Sequence, residues 1–375
     1  MIGQVVGDGG MSSYLSAMWE CVLADTPRAT FATEELAIVL SHFDIGPIES
    51  ITDFHRGSRR SPKVGVVSTK GKYLLKRRAV SRAAPDRVVF AQRVQKCLSA
   101  FEFPLPRLHA TRDDDSTYLQ LREHIYELFT FVPGHPYEKS EGETRHAGST
   151  LGLFHEALHG FTPSKVRPEP HGNFHDANAI RTGICNLGPK LTSHDSYSGN
   201  DIELASLLQR LLGFYDQSAK AANELGFGDL PEQVVHADWH PGNVLFRGGK
   251  VAAVVDYDSV RWSKQITDVA NGALQFSMIS EGDVTKWPAA LDEKRFSQFM
   301  IGYRAAERLS RAEIQMIPHL MGEALLTECV PPITETGSVG QWAGYRVLQT
   351  IQRKLAWIAE NHARLCELAG QARDQ

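Results

Sequence analysis

The chain has 375 residues, a formal net charge of −4 and 42 % hydrophobic residues, enough to build two lobes that share a cleft. The near-balanced charge gives no electrostatic case for a nucleic-acid partner. No apolar run is long enough to span a bilayer, and no basic start marks a secretion signal. Cys21, Cys97, Cys185, Cys329 and Cys366 are odd in number and scattered, the usage expected of reduced thiols in a cytoplasmic protein.

Residues 1–28 open rich in Gly and Ser and read as an extension, either disordered or an extra cap. Three strands are expected next, over 51–56, 64–68 and 73–77. Thr69-Lys70-Gly71-Lys72 joins the last two. The first turn, Gly57-Ser58-Arg59-Arg60-Ser61, supports two readings: an anion cradle of backbone N–H groups and guanidinium groups, or an exposed basic hairpin turn. Lys76 lies behind Leu74-Leu75 on the third strand, and alternation places it on one face with Arg78. Ala84-Pro85 opens a helix over 85–100, in which Val88, Val89, Ala91, Val94 and Leu98 recur at helical period. It is expected to pack on the three strands. Two more strands, 118–121 and 126–131, end at Val132-Pro133-Gly134.

A helix over 148–159 carries His155-Glu156-Ala157-Leu158-His159, an H-E-x-x-H match that suits zinc, with His171 or His175 as a third ligand. The alternative is packing, since Leu151, Phe154, Leu158 and Phe161 form an apolar stripe beside it. Loops are expected over 163–175 and 183–200, then a helix over 202–225.

The most informative segment lies at 235–260, VHADWHPGNVLFRGGKVAAVVDYDSV. Asp238 and Asn243 have the H-x-D-x-x-x-x-N spacing that places a base beside a metal-holding Asn in a kinase catalytic loop. Pro241-Gly242 supplies a turn, 244–246 a strand, and Gly248-Gly249 a hairpin signal. The apolar return strand, 251–255, delivers Asp256 to the end of the hairpin where Asn243 sits. Two oxygen ligands thus meet beside a candidate base, which suits a magnesium-nucleotide complex.

HADWHPGN followed by VVDYD resembles the aminoglycoside phosphotransferase and choline kinase-like superfamily, and the resemblance extends weakly over about residues 35–356. It implies an α+β, bilobal protein-kinase-like fold: a small antiparallel-sheet lobe over 29–132 that binds nucleotide, and a larger, mainly helical lobe over 133–375. It further implies an ATP-dependent phosphotransferase acting on a hydroxyl of a small-molecule acceptor. Asp238 would be the base, His236 would orient the loop, and Asn243 and Asp256 would hold Mg2+. On the nucleotide side the resemblance points to Gly57, Ser58 and Arg59 over the phosphates, Lys76 on the α- and β-phosphates, and the stretch Phe129, Thr130 and Val132 around adenine. Two positions depart from the family pattern: Ala237 stands for the usual Gly, and Asp258 is a third carboxylate. The helix over 85–100 also lacks the internal Glu that usually holds the lysine, which leaves Gln92, Asp256 or no partner. A non-catalytic nucleotide-binding scaffold and a zinc metallohydrolase built on His155, Glu156 and His159 are the competing readings.

Downstream, Asp268 lies where relatives have an aspartate that braces the catalytic loop, with a helix N-cap as its other reading. Ser310 and Glu313 form a capping-box pattern. Pro331-Pro332 is expected to break the helices, and 339–368 to form one long closing helix.

Overall fold

The computed structural model describes residues 29–54, 61–78, 84–162, 174–194 and 199–371. Gly57, Ser58, Arg59 and His171 lie outside them. The first lobe is a six-stranded antiparallel sheet: β1 (Ile48–Asp53), β2 (Lys63–Ser68), β3 (Gly71–Arg77), β4 (Leu108–His109), β5 (Leu119–Leu121) and β6 (His124–Thr130). The strand order is β1-β2-β3-β6-β4, with β5 also on β6. Strand alternation in β2 and β3 turns Val64, Val66, Tyr73 and Leu75 onto one face, where helix α1 (Thr33–Ser41) covers them with Val39 and Leu40.

Helix α2 (Pro85–Ala100) has the expected bounds, but Val89 lies on its exposed side. Its buried residues Phe90, Ala91, Val94 and Leu98 belong to the core of the helical lobe. The expectation that α2 packs on the three strands is therefore corrected: its tie to the sheet is polar, through Gln92.

The second lobe contains α3 (Glu141–Leu158), α4 (Asn178–Thr192), α5 (Asp201–Glu224), β7 (Glu232–Val235), the hairpin β8 (Val244–Arg247) and β9 (Lys250–Val254), and β10 (Arg261–Lys264) on β7. Next come α6 (Gln265–Ser277), α7 (Glu293–Ala306), α8 (Arg311–Thr336), β11 (Ser338–Val339), β12 (Trp342–Ala343), α9 (Gly344–Glu360) and α10 (His362–Gly370). Three expectations fail here. Much of 183–200 is helix α4, because Ile180, Ile184, Leu187 and Leu191 form a buried stripe that outweighs Gly183, Gly188 and Pro189. Helix α8 runs through Pro318, Pro331 and Pro332, held by burial of Cys329, Val330 and Ile333 on both sides of the last pair. The closing helix is two helices preceded by a small hairpin; Gly340 turns that hairpin at φ +60 and Asn361 separates the helices. Ser310 and Glu313 do form the capping box that starts α8.

Helices α3 and α7 approach so closely that side chains are excluded between them. A Cβ on Gly302 would lie 1.9 Å from the Arg145 carbonyl oxygen, and one on Gly148 2.1 Å from that of Phe299. Gly302→Ala is therefore expected to cost about 2–3 kcal/mol in urea unfolding through forced separation of two backbones. Gly142→Ala, at the exposed start of α3 with open space around it, should be neutral or slightly stabilising. Equal effects of the two substitutions would contradict the close-packing account.

Candidate active site

The site is assembled at one end of the β8–β9 hairpin. Gly248 and Gly249 turn it with φ of +60 and +74, and Val244 pairs with Val254, so Asn243 and Asp256 emerge side by side. The Val255 N–H donates to the Asn243 carbonyl at 2.9 Å, fixing that register. Asn243 in turn donates from Nδ2 to Asp238 Oδ2 at 2.9 Å and to the Asp238 carbonyl at 3.0 Å. The amide nitrogen is thus committed to the loop, and its Oδ1 is the atom left to offer a cation. An amide oxygen beside a carboxylate is a hard donor set that fits magnesium.

The Asp238 side chain keeps 38 % exposure and opens to the cleft. Burial pushes its carboxyl up, but His240 more than offsets this and holds it below the usual carboxylate range. His240 Nδ1 accepts from the Gly242 N–H at 3.0 Å, leaving Nε2 to face Asp238 Oδ1 at 3.5 Å. On the helical side, burial pushes the Glu328 carboxyl of α8 up to about 8, with His240 opposing and Asp238 adding to the shift. Glu328 accepts a hydrogen bond from Gln275 of α6.

His236 is fully buried among the rings of Phe154, Trp239 and Tyr257. Burial lowers its pKa, so the ring is neutral. Its contribution is packing plus its backbone N–H, which donates to Asp268 Oδ2 at 2.6 Å, while the Ala237 N–H donates to Asp268 Oδ1 at 2.8 Å. Asp268 lies within the first turns of α6, after the N-cap Lys264, so the brace is its structural role and the N-cap reading is dropped. Ala237 sits at φ +62, a left-handed conformation that suits the glycine of the family pattern and costs Ala about 1 kcal/mol. The exchange is less innocuous than the small size of Ala suggests.

The histidines of the H-E-x-x-H match do not converge. His155 is buried, with Nδ1 on the Tyr303 hydroxyl at 3.0 Å and Nε2 3.4 Å from Asp268 Oδ2. His159 is 55 % exposed beside Glu307, Glu156 is exposed, and His175 is bonded to Glu323 and Asn223. Among the described residues, the one trio whose ligand atoms cluster is His135, Glu138 and Glu143. His155 instead supports the brace: Tyr303 of α7 steadies it, and it steadies Asp268.

Across the cleft, Lys76 Nζ donates to Asp256 Oδ1 at 3.2 Å and to Asp258 Oδ2 at 2.8 Å. Burial lowers the Lys76 pKa, but these two carboxylates outweigh it, so the lysine is charged. Arg78 reaches Asp258 Oδ1 at 3.0 Å and forks onto Glu127 at 2.7 and 3.1 Å. Gln92 donates to Glu127 at 2.8 Å and does not hold Lys76. Strand alternation places Arg78 beside Lys76, but Glu127 and Asp258 were not singled out as Lys76's neighbours from sequence. A glutamate flanked by apolar residues in β6, HIYELFT, and directly opposite Lys76 is the signal that points to them.

At the C-terminal end of β6, the Thr130 N–H donates to the Arg107 carbonyl at 2.8 Å and the Phe131 N–H to that of Lys72 at 2.9 Å. The Thr130 hydroxyl meets His109 at 2.8 Å. Phe129 and Val132 are half-buried.

A family model described as "Phosphotransferase enzyme family" matches residues 53–313. The chain belongs to that family. It is 26 % identical over 302 residues to the homoserine kinase of Chelativorans sp. (strain BNC1), covering 78 % of this chain and 82 % of the relative. The homoserine kinase of Rhizobium meliloti is 27 % identical over 309 residues, covering 78 % and 81 %. Among solved structures, an aminoglycoside phosphotransferase from Alicyclobacillus acidocaldarius superposes with a TM-score of 0.65 at 16 % identity, covering 94 % of this chain and all of that one. Choline kinase from Cryptosporidium parvum gives 0.56 at 15 % identity, covering 89 % and 98 %. The fold is thus the bilobal kinase-like one of the aminoglycoside phosphotransferase and choline kinase-like superfamily, and this family member is a small-molecule phosphotransferase. No helix among the described residues is long and apolar enough to cross a membrane.

Proposed function

We propose that the protein transfers the γ-phosphoryl group of ATP to a hydroxyl of a small-molecule acceptor, with homoserine the first acceptor to test. The observation that carries this reading is the grouping of Asp238, Asn243 and Asp256 at one hairpin end, opposite Lys76. Asp238 orients the acceptor hydroxyl and takes its proton; its carboxylate is ionised at neutral pH and open to the cleft. Asn243 Oδ1 and the Asp256 carboxylate would hold magnesium, whose chemistry there is neutralisation of charge on the phosphate oxygens. Lys76 serves the α- and β-phosphates; the proposed phosphate contacts of Gly57, Ser58 and Arg59 fall outside the described residues. Around adenine, Phe129 lines the pocket. The N–H groups of Thr130 and Phe131 are already committed, which leaves backbone recognition to Val132 and the carbonyl groups. His236 positions the loop. The lobes divide at residue 132, and the cytoplasm is the proposed compartment.

A thermal-shift titration with ATP, with and without magnesium, tests the nucleotide side. A magnesium-dependent rise in Tm is expected for the wild type and should be lost in Asp256→Ala. Phosphohomoserine formation from ATP tests the acceptor. Binding without transfer to any hydroxylated acceptor would leave the scaffold reading, and no binding at all would remove the proposal.

A further inference from the structure

Asp258 has no part in the proposed transfer, yet it is tightly held. It is 6 % exposed, and both of its oxygens are engaged, Oδ2 by Lys76 at 2.8 Å and Oδ1 by Arg78 at 3.0 Å. Arg78 is locked from its other side by the Glu127 fork, and Glu127 by Gln92, which also bonds the Thr117 hydroxyl and carbonyl. The only acidic residue of α2 is Asp86, in its first turn, so α2 offers no carboxylate to Lys76. Asp256, the other partner of Lys76, is the longer contact, at 3.2 Å.

We propose that Asp258 is the positioning residue for Lys76, doing from the helical lobe what a carboxylate on α2 would otherwise do, and that it is not a metal ligand. This rests on the proposed function for the identity of what Lys76 meets. The two aspartates then divide the work. A carboxylate cannot bind a divalent cation and keep an ammonium partner at full strength, so nucleotide arrival shifts Asp256 from Lys76 toward the metal. Lys76 would swing away with no second anchor. Asp258 supplies that anchor, and Arg78 with Glu127 keeps Asp258 aimed. Because Lys76 and Arg78 belong to the sheet lobe and Asp258 to the segment after β9, the same contacts set the spacing of the lobes across the phosphate site.

Two measurements on Asp258→Asn test this. The first is binding of AMP-PNP, a non-hydrolysable ATP analogue, across a magnesium titration. About tenfold weaker analogue binding is expected, with the half-saturating magnesium concentration within twofold of wild type. A magnesium requirement that rises several-fold, as expected for Asp256→Asn, would make Asp258 a metal ligand and overturn the proposal. The second needs no nucleotide: the rate of Lys76 acylation by an amine-reactive reagent, read by mass spectrometry. Several-fold faster labelling than wild type is expected, and an unchanged rate would show that Asp258 does not hold Lys76. If the wild type bound no analogue, the proposed function would fail while the labelling arm still decided this inference. Should Asp258→Asn not fold, Asp258→Glu is read by the same two measurements. Three- to fivefold weaker analogue binding with unchanged magnesium dependence is then expected, and wild-type behaviour in both arms would overturn the proposal.

Discussion

Asp238→Asn is expected to lower the rate of phosphoryl transfer about a thousandfold while changing the affinity for magnesium-ATP less than about threefold. The substitution keeps the shape and an oxygen that can still accept from Asn243. It removes the carboxylate proposed to take the acceptor's proton, and with it the anion that His240 faces. Single-turnover kinetics together with equilibrium nucleotide binding separate the two effects. Turnover within tenfold of wild type would take the base role from Asp238. The pH profile offers a second check: the carboxyl is held below the usual carboxylate range, and a base must be deprotonated to act. The acid limb of the rate should therefore lie below the pH at which an ordinary carboxylate protonates.

The second large effect is expected from Asp268→Ala, a loss of about 3–5 kcal/mol in unfolding free energy together with near-complete loss of activity. Asp268 is 1 % exposed and accepts two backbone N–H groups from the catalytic loop. Without it, a buried and a partly buried N–H lose their acceptor at once, and the His155 ring keeps only Tyr303. Ala237, already in a left-handed conformation, would be the first residue to relax. Asp268→Asn keeps an oxygen acceptor but loses the charge, so an intermediate loss is expected. Urea unfolding of both variants gives the measurement, and a change below 1 kcal/mol for Asp268→Ala would show that the loop does not depend on the brace.

Much of this site was legible in the sequence because its geometry is local. Asp238, Asn243 and Asp256 are brought together by one turn and one hairpin, whose residues lie next to each other in the chain and carry strong turn chemistry. Lys76 was legible for a similar reason, since its apolar neighbours place it on a buried strand. What holds Lys76 was less so: Asp256 stood among its candidate partners, but Asp258 is 182 positions away and no periodicity links the two. The Glu127 fork has the same character. In the fold, α4 was hidden because its glycines and Pro189 weaken local helix propensity, while the buried stripe that forms the helix is rewarded only once α5 and α8 are present. Pro331-Pro332 misled for the same reason, since burial of the flanking residues overrides a local breaker.

The contact between the glycines of α3 and α7 extends the reach of the site. His155 rides on α3 and Tyr303 on α7, adjacent to Gly302, and together they steady Asp268 beneath the catalytic loop. In a genetic screen for lost activity, substitutions at Gly148 or Gly302 should therefore be recovered alongside substitutions at Asp238, with full-length protein still present in the cells. Such alleles would look like scattered folding lesions on a linear map. In three dimensions they would trace a single line ending at Asp238.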